Sequence, residues 1–237
     1  MTGFDPAPFF RAANPQKDPT VEGKFDVASK LSGAAPNTAL LAGKIKAELT
    51  LTSRSGVFRG LALPKAFSDK FQGKSGGLIS GITGAVGALA GGSKAGNAAA
   101  TAVEIAALLV EIPYDQLNVE LSHDATASVT TIKDFTLISP TIRLTGNGTI
   151  LQQEGVPLLK QPLTAQFEMS THGHAADVFG KQGMLQGGAD ALGYTPLFSP
   201  IKVDGTLSEI GTEALTNLLL QKLLSSSTGP LGNLFGK

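Results

Sequence analysis

A chain of 237 residues with 19 basic and 19 acidic side chains is formally neutral, which removes the electrostatic case for nucleic acid. Cysteine is absent, which excludes disulfides, thiolate metal sites and cysteine nucleophiles together. Tryptophan is absent too, and 29 glycines point to sheets and connectors rather than a thick aromatic core.

Residues 1–20 are rich in Pro, Ala and Asn without periodicity and read as a loose segment. They lack a basic region followed by an apolar run, so they are not a signal peptide; an export signal would lie outside this chain. From Val21 onward alternation takes over, with Val21, Phe25, Val27 and Leu31 on one face. Ile45, Ala47, Leu49 and Leu51 then oppose Lys44, Lys46, Glu48 and Thr50. Ser53-Arg-Ser-Gly56 reads as a hairpin turn into Val57–Leu61. A short helix is expected at Pro64–Phe71.

Ser75–Ser93 is uncharged and rich in Gly and Ala. Ser80, Gly84, Ala88 and Gly92 form a ladder of small residues of the kind that lets helices approach closely. The simpler reading is a glycine-rich connector. Its apolar heart, Leu78–Ala90, is shorter than the ~20 residues that span a bilayer. Ala98–Ile112 is an alanine-rich helix stopped by Pro113.

Four strands follow. Gln116–His123 carries Leu117, Val119 and Leu121 on one face, and another strand lies around Ala127–Ile132. In the next two, Phe135 and Leu137 share a face, and Ile142 and Leu144 alternate with Arg143 and Thr145. Ser139-Pro140 separates these two, because proline has no amide hydrogen for a ladder. Gly146 and Gly148 are expected to break or bulge the second. Leu163–Ser170 alternates again, with Leu163, Ala165, Phe167 and Met169 facing one way. Pro200–Leu207 is a last strand, with Ile201 and Val203 on its apolar face. Ser208 is a plausible N-cap for a helix to about Ser225. Its stripe would be Ile210, Leu215, Leu218, Leu219 and Leu223.

The fold class that follows is α+β, mostly β: a curved, predominantly antiparallel sheet with an apolar concave face, covered by a few helices. Residues 21–237 form a single domain, with a Gly/Ala-rich helical insertion at about 64–113 and a C-terminal helix at about 208–225. Its buried face would carry Ile45, Leu49, Leu51, Leu117, Val119, Leu121, Leu137, Ile142, Leu144, Phe167, Ile201 and Val203.

No constellation for chemistry emerges. His172-Gly-His174 with Asp177 is the one cluster with metal-ligand residue types, and it reads as solvated loop histidines. His123 reads as a turn residue. No serine sits in a nucleophile elbow, and no glycine-rich stretch has P-loop spacing. The chain is expected to be non-enzymatic, with no metal and no cofactor.

The order of these pieces resembles the C-terminal region of the AsmA-like family of bacterial envelope proteins. The matching pieces are Gly43–Leu51 leading to Gly56-Val-Phe-Arg-Gly-Leu61, the pair Phe135–Ile150 with its Ser-Pro break and Gly-Asn-Gly, and Ile201-Lys-Val-Asp-Gly-Thr-Leu207. The likeness covers about Val21–Leu224. The N-terminal membrane anchor and long repetitive strand region of full-length members are missing, so this chain reads as a C-terminal piece or a short paralogue. The resemblance implies a periplasm-facing location in a diderm bacterium and a role in outer-membrane biogenesis or lipid homeostasis. The apolar sheet face would shelter phospholipid or other acyl chains, and membrane contact would come through the missing anchor. The competing expectation is a structural or interaction module with a sealed core and no lipid.

Overall fold

The computed structural model describes residues 1–37, 42–64, 67 and 93–227, with backbone alone for 42, 93–99 and 223–227. The strands are β1 (Val21–Ser32), β2 (Lys46–Phe58), β3 (Ile112–Tyr114), β4 (Gln116–Asp124), β5 (Val129–Ile138), β6 (Ile142–Leu151), β7 (Leu163–Thr171), β8 (Thr195–Pro196), β9 (Ile201–Thr206) and β10 (Glu209–Gly211). The helices are α1 (Ala7–Ala13), α2 (Ser93–Val110), α3 (His174–Lys181) and α4 (Glu213–Ser227). All ten strands form one open antiparallel sheet in the order β1-β2-β4-β5-β6-β7-β9-β10, with β3 beside β2 and β8 beside β7. The fold is α+β and mostly β, as the alternation predicts.

The sheet curls until its two ends meet. Thr20, just before β1, donates its hydroxyl to the Leu207 carbonyl between β9 and β10, at 2.9 Å. Thr212, just after β10, donates to the Ala62 carbonyl beyond β2, at 3.2 Å. Lys17 pairs with Glu209 across the same junction. Bulges help the sheet to bend. On β2, Arg54 and Ser55 together oppose the single Lys24 of β1, between the pairs Ser53–Phe25 and Gly56–Gly23. On β5, Lys133 and Asp134 together oppose the single Asn147 of β6, between the pairs Ile132–Gly148 and Phe135–Gly146. Each bulge switches which alternate residues face inward. Thr130 and Ile132 are buried before the second bulge, Phe135 and Leu137 after it.

Three local expectations change. Ser53–Gly56 is not a turn: β2 runs straight through it. Gly56 is not left-handed; it is needed because a Cβ there would stand 2.4 Å from the Tyr114 hydroxyl and 1.9 Å from the Glu22 carbonyl. The segments around 127–132 and 135–137 are one strand, β5, bent by its bulge. Gly146 and Gly148 leave β6 unbroken, since its register with β7 is continuous from Ile142 to Ile150.

The chain ends also differ. Residues 1–20 are not without structure: Asp5 accepts the Ala7 amide at 2.9 Å and α1 follows, with Phe10 buried. Phe4 and Phe25 exchange both backbone hydrogen bonds at 2.8 Å, which lays the N-terminus along the edge of β1. The last helix begins at Glu213, not near Ser208. Gly205, at φ +103, and the Thr206 side chain that accepts the Glu209 amide build a β9–β10 hairpin there instead. Ile210 is therefore a strand residue and not part of the helix stripe. Helix α2 ends at Val110 rather than Ile112, consistent with the extended bias that Pro113 imposes on the residue before it. The Ser80–Gly92 ladder, most of the Pro64–Phe71 helix and the residues after Ser227 lie outside the described residues.

One half of the concave face is closed by helices. Leu137, Ile142 and Leu144 of the sheet are at most 1% exposed, as are Ala102, Ile105 and Leu109 of α2. Leu215 and Leu219 of α4 are sealed in the same way, and Leu218 is half-buried; the Leu223 side chain lies outside the described residues. Arg59 ties the outer corner, meeting Glu22 at 3.1 Å and Glu111 at 2.8 Å. Burial alone would weaken its proton affinity, but the two carboxylates raise it. At the far end of β6, the Tyr194 hydroxyl donates to the Ser139 carbonyl at 2.6 Å, and Arg143 lies over the Tyr194 ring while pairing with Asp190. The Tyr194 amide and Arg143 hold the Asp190 carboxyl below its ordinary range.

Candidate functional site, an apolar cavity

The other half of the concave face is not filled. A cavity of about 690 Å³ lies there. This is within the ~300–1,000 Å³ usual for small-molecule sites. Its walls come from alternate residues of successive strands: Leu51 of β2, Leu117, Val119 and Leu121 of β4, Phe135 of β5, and Ala165 and Phe167 of β7. Ile210 of β10 lines it as well, so both ends of the curled sheet enclose the space. Phe58, Phe135 and Phe167 form a row of rings along the wall, the first pair tilted at 5.6 Å and the second edge to face at 5.1 Å.

A lid covers the cavity. Phe4, Pro6, Phe9 and Phe10, from α1 and its approach, line one side, and Pro157–Lys160 the other. Asp5-Pro6 is an ordinary helix-start signal, and it was the one sequence mark of this lid. The periodicity of so short a helix is too slight to read.

Among the described residues that line the cavity, none carries a carboxylate, imidazole or thiol. Thr20 and Lys160 are the polar ones. The Thr20 hydroxyl is spent on Leu207, and Lys160 stands at the lip. What this arrangement offers is removal of apolar surface from water.

The face predicted from sequence divides in two. Leu51, Leu117, Val119, Leu121 and Phe167 line the cavity. Leu137, Ile142, Leu144, Ile201 and Val203 are buried without lining it, in the same continuous core cluster that takes in Leu117 and Phe167. Leu49 shares the Leu51 face but is only half-buried, and Ile45 precedes β2 outside the core cluster. Ile132, Ile150 and Leu163 join the lining; none was placed among the twelve residues of the predicted face, although Leu163 was read as the start of an alternating apolar face.

The histidines do not converge. His174 pairs with Glu104 of α2 at 2.9 Å, while His172 stacks on Tyr194 and meets the Pro140 carbonyl at 3.2 Å. His123 meets Thr130 across the β4–β5 hairpin at 3.1 Å. Among the described residues no group of His, Asp and Glu is arranged to hold a metal ion, and no helix is long and apolar enough to cross a membrane. No family model, curated protein or solved structure matches the chain.

Proposed function

We propose that this protein is a non-enzymatic acyl-lipid-holding module of a bacterial cell envelope. The observation that carries this reading is the cavity on the concave face, whose lining is apolar except for Thr20, its hydroxyl already bonded to Leu207, and Lys160 at the lip. A guest made of methylenes suits it, since each methylene moved out of water contributes about 0.8 kcal/mol. About ten buried methylenes would therefore contribute roughly 8 kcal/mol. The resemblance to the C-terminal region of AsmA-like proteins supports a periplasm-facing setting, a phospholipid as guest and a part in outer-membrane biogenesis or lipid homeostasis. Membrane attachment in that setting would come through an N-terminal anchor. The competing reading, a sealed structural module, describes the helix-covered half of the sheet but leaves the cavity without a purpose.

The test is native mass spectrometry of protein expressed in bacteria. The expected result is an apolar adduct on the parent chain that organic solvent extracts, and less of it on Val119→Phe, whose ring projects into the cavity and narrows it. A parent chain that carries no adduct, and takes up none when delipidated and offered a monomeric lysophospholipid, would overturn the proposal.

A further inference from the structure

Two large apolar side chains stand in water at the lip of the cavity. Phe9 on α1 is 59% exposed and Leu158 on the facing 3-10 turn is 57% exposed, yet both line the cavity. The two elements pack against each other. Lys160, in the same turn, is exposed, also lines the cavity, and has no ion-pair partner among the described residues. Arg11 on α1 and Lys17 just after it do not line the cavity and are paired, Arg11 with Glu22 at 3.8 Å and Lys17 with Glu209. Leu192, as exposed as Phe9, does not line the cavity, and its loop is tied through Asp190 to Arg143, at the opposite end of β6 from the cavity-lining Ile150.

We propose that this lip is a membrane-contact surface. Phe9 and Leu158 enter the outer hydrocarbon of a leaflet while Lys160 lies among anionic headgroups. Apolar residues exposed singly need no explanation, but two at the mouth of an apolar cavity, with a free cation beside them, match the chemistry of a lipid surface. The cavity would then open directly onto its source of guests, and an acyl chain would pass from leaflet to cavity without crossing water. The inference rests on the reading of the cavity as an acyl-chain site, but docking can be measured separately.

The chain has no tryptophan, so Phe9→Trp, Leu158→Trp and Leu192→Trp each place a single reporter. With vesicles of phosphatidylglycerol and phosphatidylcholine, emission from Trp at 9 and at 158 is expected to shift to the blue and to be quenched by brominated acyl chains. The Leu192→Trp reporter should not move. Lys160→Gln should weaken partitioning about fivefold on these vesicles and little on pure phosphatidylcholine. No shift at 9 or 158 in folded protein, or an equal shift at 192, would overturn the proposal. A parent that carries a lipid adduct without docking fails this inference alone; one that docks without any adduct fails the cavity reading alone.

Discussion

Phe135 and Phe167 meet edge to face across Gly146, with ring centroids 5.1 Å apart and planes at 71°. Gly146 is the backbone partner of both, on either side of it in the sheet. A Cβ at this position would stand 2.6 Å from Phe167 Cδ1 and 2.4 Å from the Gln166 carbonyl. The glycine thus lets two rings close over a strand and form the cavity wall. Gly146→Val is expected to cost about 2–3 kcal/mol by overpacking, read as a lower urea midpoint at unchanged slope. A midpoint equal to the parent's would mean that the rings do not sit there.

Leu144→Asp and Leu121→Asp should behave differently. Leu144 is 0% exposed in the helix-covered core, so an unpaired carboxylate there is expected to cost about 3–5 kcal/mol. Leu121 faces the cavity, where water can reach a new charge, so its cost in stability should be smaller. Its main effect would be loss of an apolar guest. Equal denaturation midpoints for the two variants would contradict the division of the face into core and cavity.

Helix α4 is an anchor of the core. Leu219 is 0% exposed, and Leu219→Ala is expected to lose about 2–5 kcal/mol of stability. Vesicle docking reported by Trp at position 9 should stay unchanged at temperatures where the variant is folded. Wild-type stability for Leu219→Ala, with vesicle binding lost, would make α4 the membrane contact instead.

At alkaline pH the two tyrosines report alone, because the chain has no tryptophan. Burial pushes the Tyr114 hydroxyl up, with the Ser53 hydrogen bond pulling it partly back, and burial pushes Tyr194 up against the pull of Arg143. A folded-state value above the unfolded one, ~10, gives stability that is complete below that pH and lost as pH rises through the folded value. Tyrosinate absorbance should therefore appear at higher pH in the folded chain than in the chain unfolded in urea, and the urea midpoint should fall above pH ~10. Superimposable titrations would refute this.

The alternation of β4, β6 and β7 was legible because one face of each is apolar and the other polar over several residues. That was enough to place Leu117, Val119, Leu144 and Phe167 on one shared face. The bulge at Ile132–Phe135 was hidden, since a bulge is a change of phase that looks like two short strands. Ser53–Gly56 misled because its turn residues serve a close approach to Tyr114. Ile210 was assigned to a helix because its spacing to Leu215 and Leu218 fits one, and only pairing with Gly205 makes it a strand residue. Whether the apolar face would be filled or hollow was not legible: Leu144 and Leu121 look alike in the sequence, and what separates them is which helices arrive above them.

From β4 to β7 each strand's neighbour in the sheet is also the next in the chain, so this part can assemble hairpin by hairpin. Joining β2 to β4 must close the stretch 59–115, a cost that grows only with the logarithm of length. Folding should therefore begin in the β4–β7 meander, with β1 and β2 added later and the Thr20–Leu207 junction made near the end. Pulsed hydrogen exchange during refolding should protect β5 and β6 amides before those of β1; the reverse order would refute it. Because α1 packs on the late-added β1 and on the turn Leu158–Lys160, the hollow acquires its walls before its cover, and a lipid present during folding would meet an open trough rather than a closed door.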